Sequence, residues 1–164
     1  MRKQLFLDLQ AKILAIQNEN KEPLIKFFNL WHNQINFIEQ PFDTPAVFIE
    51  FDPLNYQTIA GSKDTLIELN FSLHVVSKYY PVTHSTAPAD IQAQNLTFLD
   101  VAELLHSSLH QSRLPNSATI IHKSTSFDYS YSDYIQSIEH YTCIISHQAN
   151  PLNFPKKITM ISTD

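Results

Sequence analysis

Glycine is nearly absent: Gly61 is the one glycine in 164 residues, where ordinary proteins carry about 7%. The phosphate-cradling GxGxxG and GxxxxGK[ST] loops and the GxSxG nucleophile elbow each need at least two glycines. Those loops are excluded, and with them the standard patterns of dinucleotide-binding folds, P-loop NTPases and α/β-hydrolases. Cysteine is as scarce. Cys143 stands alone, so no disulfide forms within the chain, and a reduced, cytoplasmic setting is expected. Charge is thin as well. Asp, Glu, Lys and Arg make up 16% of residues, against a usual share of about 25%. Part of the surface is therefore neutral or apolar, as in a chain that covers surface with copies of itself. The eleven basic residues are scattered and the net charge is −5, which argues against coating nucleic acid. No run approaches the ~18 uninterrupted apolar residues of a membrane-spanning helix. Asp8, Gln10 and Lys12 interrupt any signal-peptide core.

What is present is hydrophobic and aromatic. Apolar residues make up 43% of the chain, with eleven Phe, seven Tyr and one Trp. A chain of this length is expected to form one domain, and it buries enough surface for a real core. Leu5, Leu9, Ile13 and Ile16 recur at helical spacing and predict a helix over 2–19, stopped before Pro23. Residues 24–31 read as a strand, continued after a kink through Asn33–Gln40. Ala46–Phe51 reads as an interior strand, apolar on both faces. Residues 53–64 and 79–88 read as long polar loops. Between them, Thr65–Val76 alternates cleanly, with Ile67, Leu69, Phe71, Leu73 and Val75 on one face and Glu68, Asn70, Ser72 and His74 on the other. A long helix is predicted over 89–112. A hairpin follows over 119–131 and 134–147, with Tyr141, Cys143 and Ile145 inward. The order predicts an α+β two-layer domain over 1–147, a mainly antiparallel sheet of about five strands with two main helices packed on it. An extended tail over 148–164 is expected to follow.

Several groups invite a chemical reading. Glu103, His106 and His110 lie at i, i+3 and i+7 along one helical face, and two histidines at i, i+4 can share a zinc ion. HSSLH, however, lacks the glutamate that follows the first histidine of HExxH. Leu105 and Leu109 face the core, which places the pair on the helix's solvent-side flank. His122 and His140 are expected as cross-strand neighbours on an open sheet face, and His74 on the polar face of its strand. Glu50 and Glu68 lie on facing strands, as an acid–base pair would, although a solvated sheet face explains them equally. A Cys143–histidine pair is conceivable, but an inward strand position favours a buried structural thiol. Tyrosines concentrate in the turn Phe127–Tyr134. They either make an interface or fold back over the sheet.

Five stretches carry a family resemblance: LWHNQ (30–34), TPAVFIEF (44–51), the loop through Gly61, IELNFSLHVV (67–76) and LDVAELLHSSL (99–109). Together with the order of elements they resemble phage and prophage tail-terminator proteins, also described as tail-completion or head–tail joining proteins, over about residues 1–147. The resemblance implies a non-enzymatic structural protein without cofactor, forming a hexameric ring around a channel. Such a ring caps the tail tube and joins it to the head. Its partners would be further copies of the chain, the tube and the neck or connector proteins, with no sequence-specific nucleic acid and no membrane. It would assemble in the bacterial cytoplasm and end in the virion. Candidate interface residues on this reading are Tyr56, Gly61, Tyr79, Tyr80, Tyr129, Tyr131, Tyr134 and Phe154. The alternatives are a small metal-dependent hydrolase using Glu103, His106 and His110, and a monomeric binding module using the tyrosine tip.

Overall fold

The computed structural model describes residues 2–36, 42–53, 55–58, 64–78, 83–115, 119–131 and 133–148, with side chains described for all but 55–58, 64–66 and 145–148. Helix α1 spans Arg2–Leu14 and buries Leu5, Leu9 and Ile13, the predicted stripe. It stops five residues short of the expected 19. Beyond it Asn18 organises a turn: its Oδ1 accepts the backbone N–H groups of Asn20 (3.0 Å) and Glu22 (2.9 Å). That local turn competes with the helix, and Lys21 completes it at φ 62°.

The sheet runs β1 (Phe27–Leu30), β2 (Ala46–Phe51), β4 (Asp64–Lys78), β6 (Tyr134–Gln148), β5 (Ile120–Asp128), with a short β3 (Asn55–Thr58) also paired to β4. β1 lies parallel to β2; every other pairing is antiparallel. β4 and β6 form the spine, in continuous register from Asp64↔Gln148 to Lys78↔Tyr134.

Three expectations change here. Of the 24–31 run, Phe27–Leu30 form the strand, flanked by backbone bonds from Lys26 N to Pro45 O (2.8 Å) and from Trp31 N to Ile49 O (2.9 Å), and Leu24 and Ile25 ahead of it are buried in the core. After it the chain makes a 3₁₀ turn, Gln34–Asn36, rather than a continued strand. The expected 53–64 loop holds β3, which follows β2 along the same side of β4. Asp52 still donates its N–H to Asn70 O at 3.0 Å; Pro53 then interrupts the ladder, having no N–H to give.

The long helix is broken in two, α2 (Ala89–Asn95) and α3 (Thr97–Leu109), at Leu96. Thr97 Oγ1 donates back to Gln94 O at the junction, where Leu96 leaves helical geometry at φ −95° and ψ 0°. Helix α3 buries Val101, Ala102, Leu105 and Leu109.

The fold is α+β, and its helices lie on one face of the sheet. Leu5, Leu9 and Ile13 of α1 and Val101, Leu105 and Leu109 of α3 pack on the odd-numbered residues of β4 and on Tyr141 and Cys143 of β6. Phe71 stacks on Tyr141, ring centroids 5.5 Å apart. β2 divides between faces as its pattern predicts: Val47 and Ile49 enter this core, while Ala46 and Phe48 join Val76 in a second cluster on the opposite face, closed over by Trp31, Ile35, Phe42 and Tyr134.

Candidate functional site

Period two puts Ser137, Glu139, Tyr141 and Cys143 of β6 on the helix-bearing face. A carboxylate is out of place there, and Glu139 is only 1% exposed. It is held by donors from both hairpin strands. His122 of β5 donates Nε2–H to Oε2 at 2.9 Å, Thr125 donates its hydroxyl to the same oxygen at 2.5 Å, and Ser137 donates to Oε1 at 3.0 Å. A buried carboxylate is tolerated only when hydrogen-bonded in this way.

The histidines of α3 complete the cluster. His106 meets His122 edge to face at 4.5 Å and stacks on His110 at 5.1 Å. His110 Nδ1 accepts the backbone N–H of His122 at 3.2 Å. Burial, then the neighbouring His122 and His110 rings, hold His106 below the ordinary imidazole value of 6.5. The pair therefore lies at the seam between α3 and β5 rather than on a solvent-side flank. Beside the cluster opens a cavity of about 570 Å³, lined by Leu99, Ala102, Glu103 and His106 of α3, Thr125 and Phe127 of β5, and Glu139. Among the described residues, no three His, Cys, Asp or Glu side chains are arranged to hold a metal ion; the stacked His106 and His110 rings lie nearly parallel, at 12°.

The other expected pairs do not form. His122 opposes Tyr141, and a bulge between His122 and Ser124 moves His140 opposite Ser124. His122 and His140 thus face opposite sides of the sheet, and His140 Nδ1 bonds the Ser72 hydroxyl at 2.9 Å. Glu50 opposes Ser72, four positions along β4 from Glu68. Glu50 takes its bond from His74 Nε2 at 3.0 Å, and Glu68 from the Thr142 hydroxyl at 3.3 Å. Cys143 is fully buried, and burial pushes its thiol up to about 11, out of range for a nucleophile.

His74 is more than a solvated strand residue. It is 5% exposed, stacked on Trp31 at 4.0 Å and 4° between planes, and its Nδ1 accepts the amide of Gln136. The tyrosine tip divides. Tyr129 is 65% exposed and stacks on Phe127, and Tyr131 is half-buried. Tyr134 opens β6 and folds back onto Phe42 at 6.0 Å, within the second cluster. The backbone of Tyr56 lies in β3, opposite Ile67. Gly61, Tyr79, Tyr80 and Phe154 lie outside the described residues, as does the expected tail beyond Gln148.

Glu139 is the site residue that sequence reasoning missed; His122 was read as a partner of His140 on an open sheet face and instead meets Glu139. The legible signal was phase: Glu139 falls in step with Tyr141 and Cys143, a charge on an apolar strand face.

No protein-family model matches the chain, and no curated protein matches it. Among solved structures it is similar to a chain of the virion of a native gene transfer agent particle, with a TM-score of 0.51 and 9% sequence identity, covering 87% of this chain and 95% of that one. At that identity the likeness is one of fold. It runs nearly the full length of both chains, which makes the whole two-layer unit the shared object. No helix among the described residues is long and apolar enough to cross a membrane.

Proposed function

We propose that this chain is a non-enzymatic building block of a phage-like particle, and within it the ring that caps the tail tube and joins it to the head. The supporting observation is the fold shared along almost the whole length of a virion chain. Other features agree. Charge is sparse, which suits a chain that buries surface against its neighbours. Tyr129, at 65%, is the most exposed of the large hydrophobic side chains among the described residues, and tyrosine is enriched at protein interfaces. On this reading residues 1–147 form the ring's body and the tail from 148 reaches a neighbour. The chain assembles in the bacterial cytoplasm, as a hexamer, with tube and neck proteins as partners. A ring joins unlike surfaces of successive copies, and Tyr56, Gly61, Tyr79, Tyr80, Tyr129, Tyr131 and Phe154 are the residues proposed for those surfaces.

Light scattering after size exclusion, over a concentration series, tests the reading. The expected species has about six times the 18.9 kDa mass of the chain. A strict monomer throughout, which also fails to bind purified tail tubes, refutes it. The hydrolase alternative makes the opposite prediction, stoichiometric zinc in the purified protein and loss of activity in His106→Ala. The nearly parallel stacking of His106 and His110 gives it no support.

A further inference from the structure

The α3–β5 cavity has the size of a ligand pocket, which typically encloses roughly 300–1,000 Å³. Leu99, Ala102 and Phe127 make its walls apolar. Its charged groups are two carboxylates, Glu103 from the exposed side of α3 and Glu139 from the sheet; no lysine or arginine lines it among the described residues. Glu139 already accepts three hydrogen bonds. A carboxylate offers about four lone-pair directions, so one acceptor direction remains. His106 resists protonation and does not oppose an incoming cation. Phe127 presents an aromatic ring beside the same space, and a ring face attracts a cation.

An apolar slot ending in two carboxylates fits a cation on an aliphatic stem. We propose that this cavity receives a basic side chain, an arginine or lysine, of a neighbouring chain in the assembled particle. The stem lies along Leu99 and Phe127, and the cation bonds Glu103 and the free acceptor direction of Glu139. Arginine fits better, because its rigid fork of donors can serve both carboxylates at once. The source of the side chain rests on the particle reading; the cavity's preference for a cation does not.

NMR on the isotope-labelled full chain tests this, using N-acetyl-arginine methylamide as probe and N-acetyl-norleucine methylamide as its uncharged counterpart. Saturable shifts of the His106 and His122 ring signals and the Ala102 amide are expected with the arginine probe, and much weaker ones with norleucine. Glu103→Gln alters an exposed residue, keeps the fold, and weakens the arginine probe about two- to fivefold. Equal shifts from both probes, or none from arginine, overturn the proposal. So does an arginine response unchanged in Glu103→Gln. The two readings fail separately. A hexamer that binds no probe removes the pocket and leaves the ring, while a probe-binding chain that stays monomeric and joins no tube removes the neighbour as source.

Discussion

His74 shows how much one residue's surroundings decide. Its Nδ1 accepts from Gln136 and its Nε2 donates to Glu50, so the network selects the neutral Nε2–H tautomer. A second proton on Nδ1 would point at the Gln136 amide. Burial lowers its titration below the ordinary 6.5, outweighing the opposing pull of Glu50. The folded state therefore takes up that proton less readily than the unfolded chain. Its contribution to stability is complete above pH ~6.5 and is lost as pH falls below that value; His106 adds to the loss with the same sign. Urea midpoints measured from pH 8 to pH 5 should fall with acid, and His74→Gln should flatten part of the slope. A slope untouched by that substitution would remove His74 from the account. Trp31, stacked on the ring, supplies the fluorescence.

Scarce glycine has a cost at the same scale. Lys21, Asn33 and Gln111 adopt φ of 62°, 58° and 57°, a region where a side chain costs roughly 1–2 kcal/mol, except for asparagine, which tolerates it. Glycine there gains that amount but loses some of it to unfolded-chain entropy. Gln111→Gly and Lys21→Gly should each raise stability by up to ~1 kcal/mol, and Asn33→Gly should change it little. Thermal melts of the three variants check the ranking.

At the level of elements, α3 and the β4–β6 pair hold the molecule. Leu105 and Leu109 are fully buried against the sheet. Leu105→Ala should cost about 2–5 kcal/mol, read as a shift in the urea midpoint at unchanged slope. A cost below ~1 kcal/mol would mean that the helix is only loosely docked. Tyr141 makes the converse case. Its hydroxyl is buried without a hydrogen-bond partner among the described residues, so Tyr141→Phe should leave stability unchanged or slightly raised. A marked loss would reveal a bond to that oxygen. The elements themselves were legible where a period ran long. The alternation of Thr65–Val76 became β4, and the inward Tyr141 and Cys143 of the predicted hairpin are buried as expected. Boundaries were not legible where a side chain competes locally for backbone bonds. An Asn18 turn follows the end of α1, and the Leu96–Thr97 break divides the second helix; neither changes the apolar spacing.

For the whole molecule, sparse charge and exposed apolar residues point outward, to association. If the tail carries contacts to a neighbour, deleting residues 149–164 should leave the melting temperature of the body unchanged and shift the mass distribution toward monomer. Association that persists undiminished would place the interface on the body alone. The sequence by itself determined the α+β class, the phases of the long strands and the lack of glycine-loop chemistry, because these depend on periodicity and composition, which are local. Which histidine meets which carboxylate was decided only by tertiary structure. The β5–β6 register sets His122 opposite Tyr141 and beside Glu139, a bulge after His122 brings Thr125 opposite Glu139, and α3 packs His106 against His122, while strand alternation leaves His140 on the other face.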